Sequence, residues 1–285
     1  MNLNNILPFP IQIQPGSENQ EPRPLMCSHC GKYLPFRFMD YPDLRRSFWA
    51  SPNPCTCPGS LAEAEVEAEL WRVEAKKEAE QLRNAERSRL LRKSGLPARY
   101  DTATFEKAEI TDANRDIYAR VMEFSANPTG GLLLSGPVGT GKTFLAACVV
   151  NSYLDRLKRV TFGNVLNHLG RLKRSYSEET QEEEWRILDE LCKVPLLVID
   201  DLGKEKVSEW VEQTLYQVVD SRYREEKPLI VTTNFNPDKL GGRYPEIGPA
   251  MMSRIAEMCD PIFVGGEDRR MSWMRETEAS KCQNT

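Results

Sequence analysis

Apolar residues recur along this chain of 285 residues with two different periods, and the change comes at Gly95. Between residues 60 and 94 they return every three or four positions, which predicts one long helix with a thin, alanine-rich apolar seam. Ser60 and Glu63 have the spacing of a capping box at its start, and Gly95 followed by Pro97 predicts its end. The seam consists of Leu61, Ala64, Ala68, Trp71, Ala75 and Leu82.

The predicted helix is rich in glutamate in its first half and in lysine and arginine from residue 76 to residue 93. This gradient complements the helix dipole, so a purely structural role explains it. An exposed apolar seam is also the means by which a helix docks on a partner. The sequence leaves both interpretations open.

Beyond Gly95, short apolar runs alternate with amphipathic segments. This pattern predicts an α/β fold, in which helical crossovers cover both faces of a parallel sheet. The predicted strands are 131–134, 160–162, 196–199, 229–232 and 262–264, and the clearest helices are 143–157, 182–192 and 208–225.

Composition narrows the classes of protein. A hydrophobic content of 40% suffices for a core, and a net charge of −4 argues against a generally basic nucleic-acid coat, although it permits a local patch. The first 20 residues lack the order of a secretory signal, and the apolar runs are far shorter than the about 20 residues of a membrane span. We therefore expect a cytoplasmic protein without a membrane-spanning segment.

A glycine-rich loop lies between the predicted strand 131–134 and the predicted helix 143–157. Glycines allow backbone N–H groups to turn towards phosphates, Lys142 supplies a cation, and the Thr143 hydroxyl is a ligand for Mg²⁺. The helix that follows directs its positive end at the same anion. The loop therefore predicts binding of a nucleoside triphosphate. Its residues are Gly136, Pro137, Val138, Gly139, Thr140, Gly141, Lys142 and Thr143.

Two carboxylates follow the next buried strand of the pattern. Asp200 is placed to hold Mg²⁺ and Asp201 to polarise an attacking water. Two acidic residues after a strand indicate little by themselves, and it is the upstream glycine-rich loop that supports this interpretation. Asn234 lies directly after the strand 229–232, where its amide can orient a water. Asparagine at the end of a strand is also a common turn residue.

Three arginines are candidate cations for the transferred phosphate: Arg254, Arg269 and Arg270. Each of them taken alone is most simply explained as a solvated surface charge.

Four of the eight cysteines lie within residues 25–58, a stretch too short for an apolar core of its own. Cys27, Cys30, Cys55 and Cys57 supply two close pairs of thiolates, the number that a structural Zn²⁺ takes. The second pair is unusually tight, so His29 as a replacement ligand and unliganded cysteines both stay open. The cysteines predicted to be core residues are Cys148, Cys192 and Cys259.

The order of these motifs resembles the AAA+ replicative helicase loaders of the DnaI and DnaC type, with the transposition helper IstB as a wider relative. The resemblance runs from Gly95 to about Arg270 and extends more loosely to the cysteine-bearing segment. It is carried by the glycine-rich loop and by Ser94-Gly95-Leu96-Pro97 with Phe105-Glu106, Ile199-Asp200-Asp201-Leu202-Gly203, Thr232-Thr233-Asn234, Ser253-Arg254 and Glu267-Asp268-Arg269-Arg270.

The resemblance implies an AAA+ P-loop ATPase with an abbreviated lid, using ATP and Mg²⁺. It implies that Lys142 and Thr143 are the Walker A residues and that Asp200 and Asp201 are the Walker B pair. Asn234 matches the sensor I residue. Many AAA+ enzymes carry glutamate where Asp201 stands, which bears on the rate of hydrolysis.

The resemblance also implies roles for residues that the pattern alone leaves open. Arg254 matches an arginine finger that reaches the ATP of a neighbouring subunit in a homo-oligomer, which predicts slow hydrolysis by the monomer. Arg270, or else Arg269, matches the sensor II position, and Tyr100 is a candidate adenine contact.

By the same resemblance, residues 25–93 bear Zn²⁺ and dock on a hexameric replicative helicase. The predicted organisation is a flexible tail at 1–24, in which 6–13 is a candidate docking segment, and a cysteine-rich zinc module at 25–60. A docking helix at 61–94, an ATPase domain at 95–275 and a flexible end at 276–285 follow.

Cations and one aromatic ring cluster around the second predicted strand, as in proteins that bind single-stranded DNA. An ordinary charged helix surface explains them equally well. In the initiator and loader branch of AAA+ proteins, the matching region resembles an insertion that lines the DNA channel. The residues are Lys158, Arg159, Arg171, Lys173, Arg174 and Tyr176.

Three hypotheses of function result. The first is an ATP-dependent loader that helps to deposit the helicase on single-stranded DNA. The second is an IstB-like ATPase that assists a transposase, against which the cysteine module argues. The third is a zinc-containing adaptor that binds ATP as a switch with negligible hydrolysis.

Overall fold

The computed structural model describes residues 22–41, 46–165, 167, 168, 170 and 181–271. Most of the predicted tail and the whole predicted C-terminal end therefore lie outside the described residues. The chain divides into two compact units, Met1–Gln81 and Leu82–Thr285, and the division falls inside one long helix. Among the helices of the described residues, none combines the length and the apolar character that crossing a membrane requires.

The first unit contains two small antiparallel sheets. Strand β1 (Leu25–Met26) pairs with β2 (Tyr33–Leu34), and β3 (Arg37–Tyr41) pairs with β4 (Arg46–Ala50). Phe38 packs edge-on against Trp49, with ring centroids 5.1 Å apart. Cys27 and Cys55 are the two buried apolar residues among the described residues of this unit, which agrees with the prediction that packing alone does not hold the segment together.

Helix α1 spans Pro58–Ser94. The prediction of a capping box at its start is wrong, because the helix begins two residues earlier and Ser60 lies inside its first turn. Proline suits the first helical position, since its missing N–H needs no partner there. Glu63 pairs instead with His29, at 2.7 Å. The predicted end is confirmed: Gly95 adopts φ +79°, and the Ser94 hydroxyl accepts a hydrogen bond from the Leu96 N–H.

The described residues of the second unit form a sheet of five parallel strands, β5 (Gly131–Ser135), β6 (Val160–Asn164), β7 (Leu196–Asp200), β8 (Leu229–Thr233) and β9 (Cys259–Phe263). Their spatial order is β6, β7, β8, β5, β9. The predicted α/β fold, a parallel sheet with helices on both faces, is confirmed. The α-helices after α1 that are described from end to end are α2 (Arg115–Ala126), α3 (Lys142–Asp155), α4 (Gln181–Lys193), α5 (Glu209–Arg224), α6 (Pro237–Leu240) and α7 (Gly248–Met258).

Strand β9 begins three residues before its predicted start at residue 262. Asp260 and Pro261 interrupt the apolar pattern there. The strand forms nevertheless because β9 lies at the edge of the sheet and pairs on one side with β5, where a proline is tolerated.

Parallel pairing brings three carboxyl-terminal strand ends to one edge of the sheet. Strand β8 lies between β5 and β7, and Ser135 stands opposite Thr233 in the register of β5 and β8. The segments after β5, β7 and β8 therefore emerge side by side, as expected for a ligand site in an open α/β sheet.

Arg222 of α5 joins several segments beneath the sheet. Its guanidinium is fully buried and donates hydrogen bonds to the carbonyl oxygens of Leu191, Cys192, Val194 and Pro228. The first two carbonyls lie in the last turn of α4, where helical partners are lacking. Burial lowers the pKa of Arg222 to about 10, so the guanidinium stays charged at neutral pH.

Candidate nucleotide-binding site

The glycine-rich loop connects β5 to α3, as the sequence predicts. Gly136 adopts φ +145°, and a Cβ there would lie 2.2 Å from the Val264 carbonyl oxygen. Lys142 Nζ donates hydrogen bonds to the carbonyl oxygens of Gly136 and Pro137, at 2.8 and 2.6 Å. Burial lowers the pKa of Lys142, and the nearby charge of Asp201 opposes that shift. The loop thus holds a cation at the positive end of a helix, a suitable place for phosphates.

Asp200 and Thr143 meet at the end of β7. The Thr143 hydroxyl donates to Asp200 Oδ1 at 3.0 Å, and the Thr232 hydroxyl donates to the same oxygen at 2.7 Å. Burial raises the pKa of Asp200, and the hydrogen bond from Thr232 opposes that rise. A carboxylate and a hydroxyl oxygen brought together beside a phosphate-binding loop fit Mg²⁺, which prefers oxygen ligands.

Asp201 has a backbone that side-chain-bearing residues adopt only rarely, with φ +57°. Its N–H donates to Thr232 Oγ1 at 2.9 Å. Asn234 Nδ2 donates to Asp201 Oδ1 at 3.1 Å, and Lys204 Nζ lies 2.9 Å from Asp201 Oδ2. The acidic pair and Asn234 are therefore joined in one hydrogen-bonded group.

A cleft of about 360 Å³ brings most of the predicted site residues together. The predicted residues that line it are Tyr100, Val138, Gly139, Gly141, Lys142, Thr143, Asp201, Asn234, Arg269 and Arg270. The sequence interpretation missed Lys107, Ala108, Glu109, Phe144 and Lys204, which also line it.

Among these missed residues, Lys204 contacts a residue of the acidic pair, since its Nζ lies 2.9 Å from Asp201 Oδ2. The available signal was its spacing of three residues from Asp201, which places both on one tight turn.

The segment after β9 is bound to the glycine-rich loop. The Arg269 N–H donates to the Gly139 carbonyl oxygen at 3.1 Å, and the Arg270 N–H donates to Asp268 Oδ1 at 2.9 Å. A Cβ on Gly139 would lie 1.7 Å from that same Asp268 oxygen. This close approach requires glycine and holds both arginines beside the cleft.

Arg254 is a predicted site residue that lies outside the cleft lining and makes its described contacts elsewhere. It lies on α7, where its Nε is 2.5 Å from Asp220 Oδ1 and its guanidinium lies over the ring of Tyr216 at 4.8 Å. Hydrogen bonding to the Asp220 carboxylate raises the pKa of Arg254. The side chain is thus held in a fixed orientation on another surface of the unit.

The four cysteines of the first unit form a compact cluster, with all sulfur atoms within 4.8 Å of one another. Cys27 Sγ lies 3.7 Å from Cys57 Sγ, and Cys30 Sγ lies 3.5 Å from Cys55 Sγ. With Zn–S bonds of about 2.3 Å, a tetrahedron has S···S edges of about 3.8 Å. The cluster therefore fits Zn²⁺.

Local contacts also define which donors belong to the cluster. Backbone N–H groups of Cys30 and His29 lower the pKa of the Cys27 thiol to about 6, which favours the thiolate that a metal requires. The His29 Nε2 atom contacts Glu63, and its Nδ1 lies 2.7 Å from where a Cβ of Gly59 would stand. Both ring nitrogens of His29 are therefore directed at α1, away from a role as a zinc ligand.

The predicted single-strand-binding patch is described in part. Lys158 Nζ lies 5.8 Å from the ring centroid of Tyr153, and Arg159 is exposed. The other members of the patch, Arg171, Lys173, Arg174 and Tyr176, lie outside the described residues.

Comparison with known proteins places the chain in a family. Residues 60–277 match the family described as IstB-like ATP binding protein. The replicative helicase loader DnaI of Bacillus subtilis (strain 168) is 32% identical over 184 residues, which cover 59% of this chain and 58% of that protein. The replicative helicase loader DnaC of Escherichia coli (strain K12) is 31% identical over 157 residues, or 53% of this chain and 63% of that protein.

A crystal structure of DnaI has 27% sequence identity and a TM-score of 0.52, and the alignment covers 60% of this chain and 95% of that one. The matched regions span less than two thirds of the length of both curated loaders. The family match covers well over half of the present chain. The chain therefore belongs to the IstB-like ATP binding protein family and is a relative of the AAA+ replicative helicase loaders DnaI and DnaC.

Proposed function

We propose that this protein is an ATP-dependent loader that binds a hexameric replicative DNA helicase. It helps to deposit that helicase on single-stranded DNA during initiation or restart of replication, in the cytoplasm. The observation that carries the proposal is the cleft in which Lys142, Thr143, Asp201 and Asn234 converge. The names of the DnaI and DnaC relatives support the loader role.

The residues of the cleft divide the work of ATP hydrolysis. Backbone N–H groups of the glycine-rich loop and Lys142 bind the phosphates, and Thr143 with Asp200 holds Mg²⁺. When bound, Mg²⁺ supplies positive charge to the phosphate oxygens. Asp201 orients the attacking water and accepts its proton, while Asn234 fixes the Asp201 carboxylate.

The remaining polar groups of the cleft have supporting roles. Arg270, with Arg269 beside it, supplies further cations for the phosphates, and Tyr100 contacts the adenine.

Hydrolysis is proposed to depend on assembly. Arg254 is directed by Asp220 on a surface apart from the cleft, which suits a guanidinium that acts on the ATP of a neighbouring subunit. Because an arginine finger contributes about 10³-fold or more to the rate, the isolated monomer is expected to turn over slowly. Arg254→Ala should abolish the stimulation by assembly while the affinity for ATP stays unchanged.

The first unit is proposed to be the helicase-docking part. In this proposal Zn²⁺ holds residues 25–60, residues 61–94 form the docking helix, and residues 95–275 form the ATPase domain. Leu70 and Trp71 of α1 are 63% and 59% exposed, so apolar side chains are available for a partner. Leu90 belongs to the core of the second unit, and the docking surface is therefore assigned to the part of α1 before Leu82.

Binding of single-stranded DNA is the third element of the proposal, with Lys158 and Arg159 as its described cations. Affinity should fall steeply as salt is raised, because binding to phosphates releases counterions. An affinity that hardly changes between about 50 and about 200 mM salt would exclude this patch as the site.

One rival function is favoured by a specific finding, the family match to IstB-like ATP binding proteins. In that case the same ATPase assists a transposase at target DNA. The cysteine cluster favours the loader, since the transposase helpers typically lack such a module. A zinc adaptor that binds ATP without turnover is the third candidate, and a measurable ATPase rate that Lys142→Ala abolishes would exclude it.

The decisive experiment captures the tagged full-length protein with an ATP analogue and identifies its stoichiometric partner by mass spectrometry. Recovery of a replicative helicase, lost in Cys27→Ser/Cys30→Ser and retained in the exposed control Lys206→Met, is the expected result. Recovery of a transposase would instead establish the rival.

A further inference from the structure

We propose that Lys204 is a positioning residue of the ATPase site, which together with Asn234 fixes the carboxylate of Asp201. This inference rests on the proposed ATPase function and adds a residue to it. Lys204 lines the same cleft as Lys142 and Asn234, and its Nζ lies 2.9 Å from Asp201 Oδ2.

The two partners hold the carboxylate from its two oxygens. Asn234 Nδ2 donates to Oδ1 at 3.1 Å while Lys204 lies against Oδ2. An ionised carboxylate has about four lone-pair directions, so these two contacts leave capacity for a water molecule. Asp201 is shorter by one methylene than the glutamate of many AAA+ enzymes. Its position decides whether it can reach the attacking water, so contacts that fix that position support the proposed chemistry.

The main chain around Lys204 is anchored on both sides. The Gly203 N–H donates to Glu205 Oε2 at 3.1 Å, and the hydroxyl of Tyr244 donates to Glu205 Oε1. Glu205 and Tyr244 are buried, whereas the Lys204 side chain is 49% exposed. The buried hydrogen bonds fix the position of the Lys204 Cα, from which the side chain reaches Asp201 and lines the cleft.

The contact between Lys204 and Asp201 differs from an ordinary surface ion pair. A lysine three residues after an exposed aspartate commonly forms a weak ion pair. Here the aspartate has a strained backbone, with φ +57°, and its N–H is bound to Thr232, which also contacts Asp200. The pair is therefore built into the acidic group that the proposed chemistry uses.

The test compares Lys204→Met with Lys204→Arg in the full-length protein. Lys206→Met is the matched control, since Lys206 is exposed and lies outside the residues that line the cleft. We expect Lys204→Met to lower kcat by about 10-fold to 100-fold, the scale of a misplaced reacting group. The KM for ATP, the Kd for a fluorescent ATP analogue and Tm should match those of the native protein. Lys204→Arg, which keeps the charge and a donor, should restore most of kcat.

Each other outcome overturns the inference. An increase of kcat in Lys204→Met would show that the ion pair keeps Asp201 from its catalytic role. A higher KM and Kd at unchanged kcat would make Lys204 a phosphate ligand. A lower Tm that Lys204→Arg does not restore would make its role structural. If turnover survives Lys142→Ala, the proposed function and this inference are both wrong. If Lys142→Ala abolishes turnover and Lys204→Met leaves kcat unchanged, the inference alone is wrong.

Discussion

The buried guanidinium of Arg222 offers a sharp test of what stabilises the second unit. Its hydrogen bonds satisfy four backbone carbonyls that come from the end of α4, from the segment before β7 and from the residue before β8. Arg222→Met keeps much of the aliphatic volume and removes every donor. The Pro228 oxygen still accepts from the Leu197 N–H, at 3.3 Å, whereas the other three oxygens lose the donor that Arg222 supplies.

The magnitude follows from counting those groups. A buried polar group that loses its partner costs about 1 to 3 kcal/mol. Three carbonyls at the lower end of that range, reduced by the relief of no longer burying a charge, give a loss of about 2 kcal/mol. For a unit of this size that loss corresponds to a fall in Tm of roughly 4 to 8 °C.

Arg224→Met is the matched control on the same helix. The Arg224 side chain is 71% exposed and pairs at 2.7 Å with Asp220, which keeps Arg254 as a second cationic partner, so its loss should cost about 1 kcal/mol or less. The free energy of unfolding is measured by urea titration followed by circular dichroism, with m-values compared to confirm the same transition. A loss below about 1 kcal/mol for Arg222→Met, equal to that of the control, would refute the argument that the buried carbonyls need this donor.

Three further predictions concern the two proposed ligand sites. Gly139→Ala should weaken binding of an ATP analogue at least about 10-fold, because glycines let the loop approach phosphates. A Cβ at residue 139, where φ is +79°, would also lie 1.7 Å from a side-chain oxygen of Asp268. The control Gly242→Ala, where a Cβ would have no atom within 4 Å, should bind normally, and equal affinities of the two variants would contradict the reasoning. Thr143→Val should lower the apparent Mg²⁺ affinity of the nucleotide complex about 10-fold, as measured by Mg²⁺ titration with a fluorescent nucleotide. The affinity for the nucleotide in the presence of a chelator, where Mg²⁺ is removed, should stay unchanged. If nucleotide affinity falls both with and without Mg²⁺, the substitution has disrupted the loop. Metal analysis should find one zinc ion per chain. Cys30→Ser or a chelator should release that ion and make residues 25–57 sensitive to protease. If the metal-free form resists protease, packing and not zinc holds this unit together.

Much of the candidate site can be predicted from the order of motifs along the chain. The glycine-rich loop, Asp200 and Asp201, and Asn234 follow successive apolar runs, and parallel strands carry their ends to one edge of a sheet. Chemistry set by neighbours in sequence is predictable in this way, because the same few residues provide both the backbone shape and the functional group.

Helix starts and strand edges are harder to predict. The spacing of Ser60 and Glu63 predicts the start of α1 at the wrong residue. The helix begins at Pro58, which suits the first helical position, and Glu63 pairs with His29, 34 residues away along the chain. The apolar pattern predicts too short a strand β9 because Pro261 breaks it, and the edge position of the strand permits that proline. The first error arises because two local signals for a helix start compete, and the second because a strand distant in sequence decides the pairing.

The sequence by itself determined the α/β architecture, the glycine-rich loop and the set of four N-terminal cysteines, since periodicity and close spacing are local properties of the chain. Only the tertiary structure decided that Lys204 contacts Asp201, that His29 faces α1 rather than the sulfur cluster, and that Arg254 lies apart from the cleft. Those outcomes depend on which side chains meet after the backbone has turned or after remote helices have packed. Hydrogen-bond geometry and burial determine which of these side chains are in contact, and the spacing of residues along the chain gives neither.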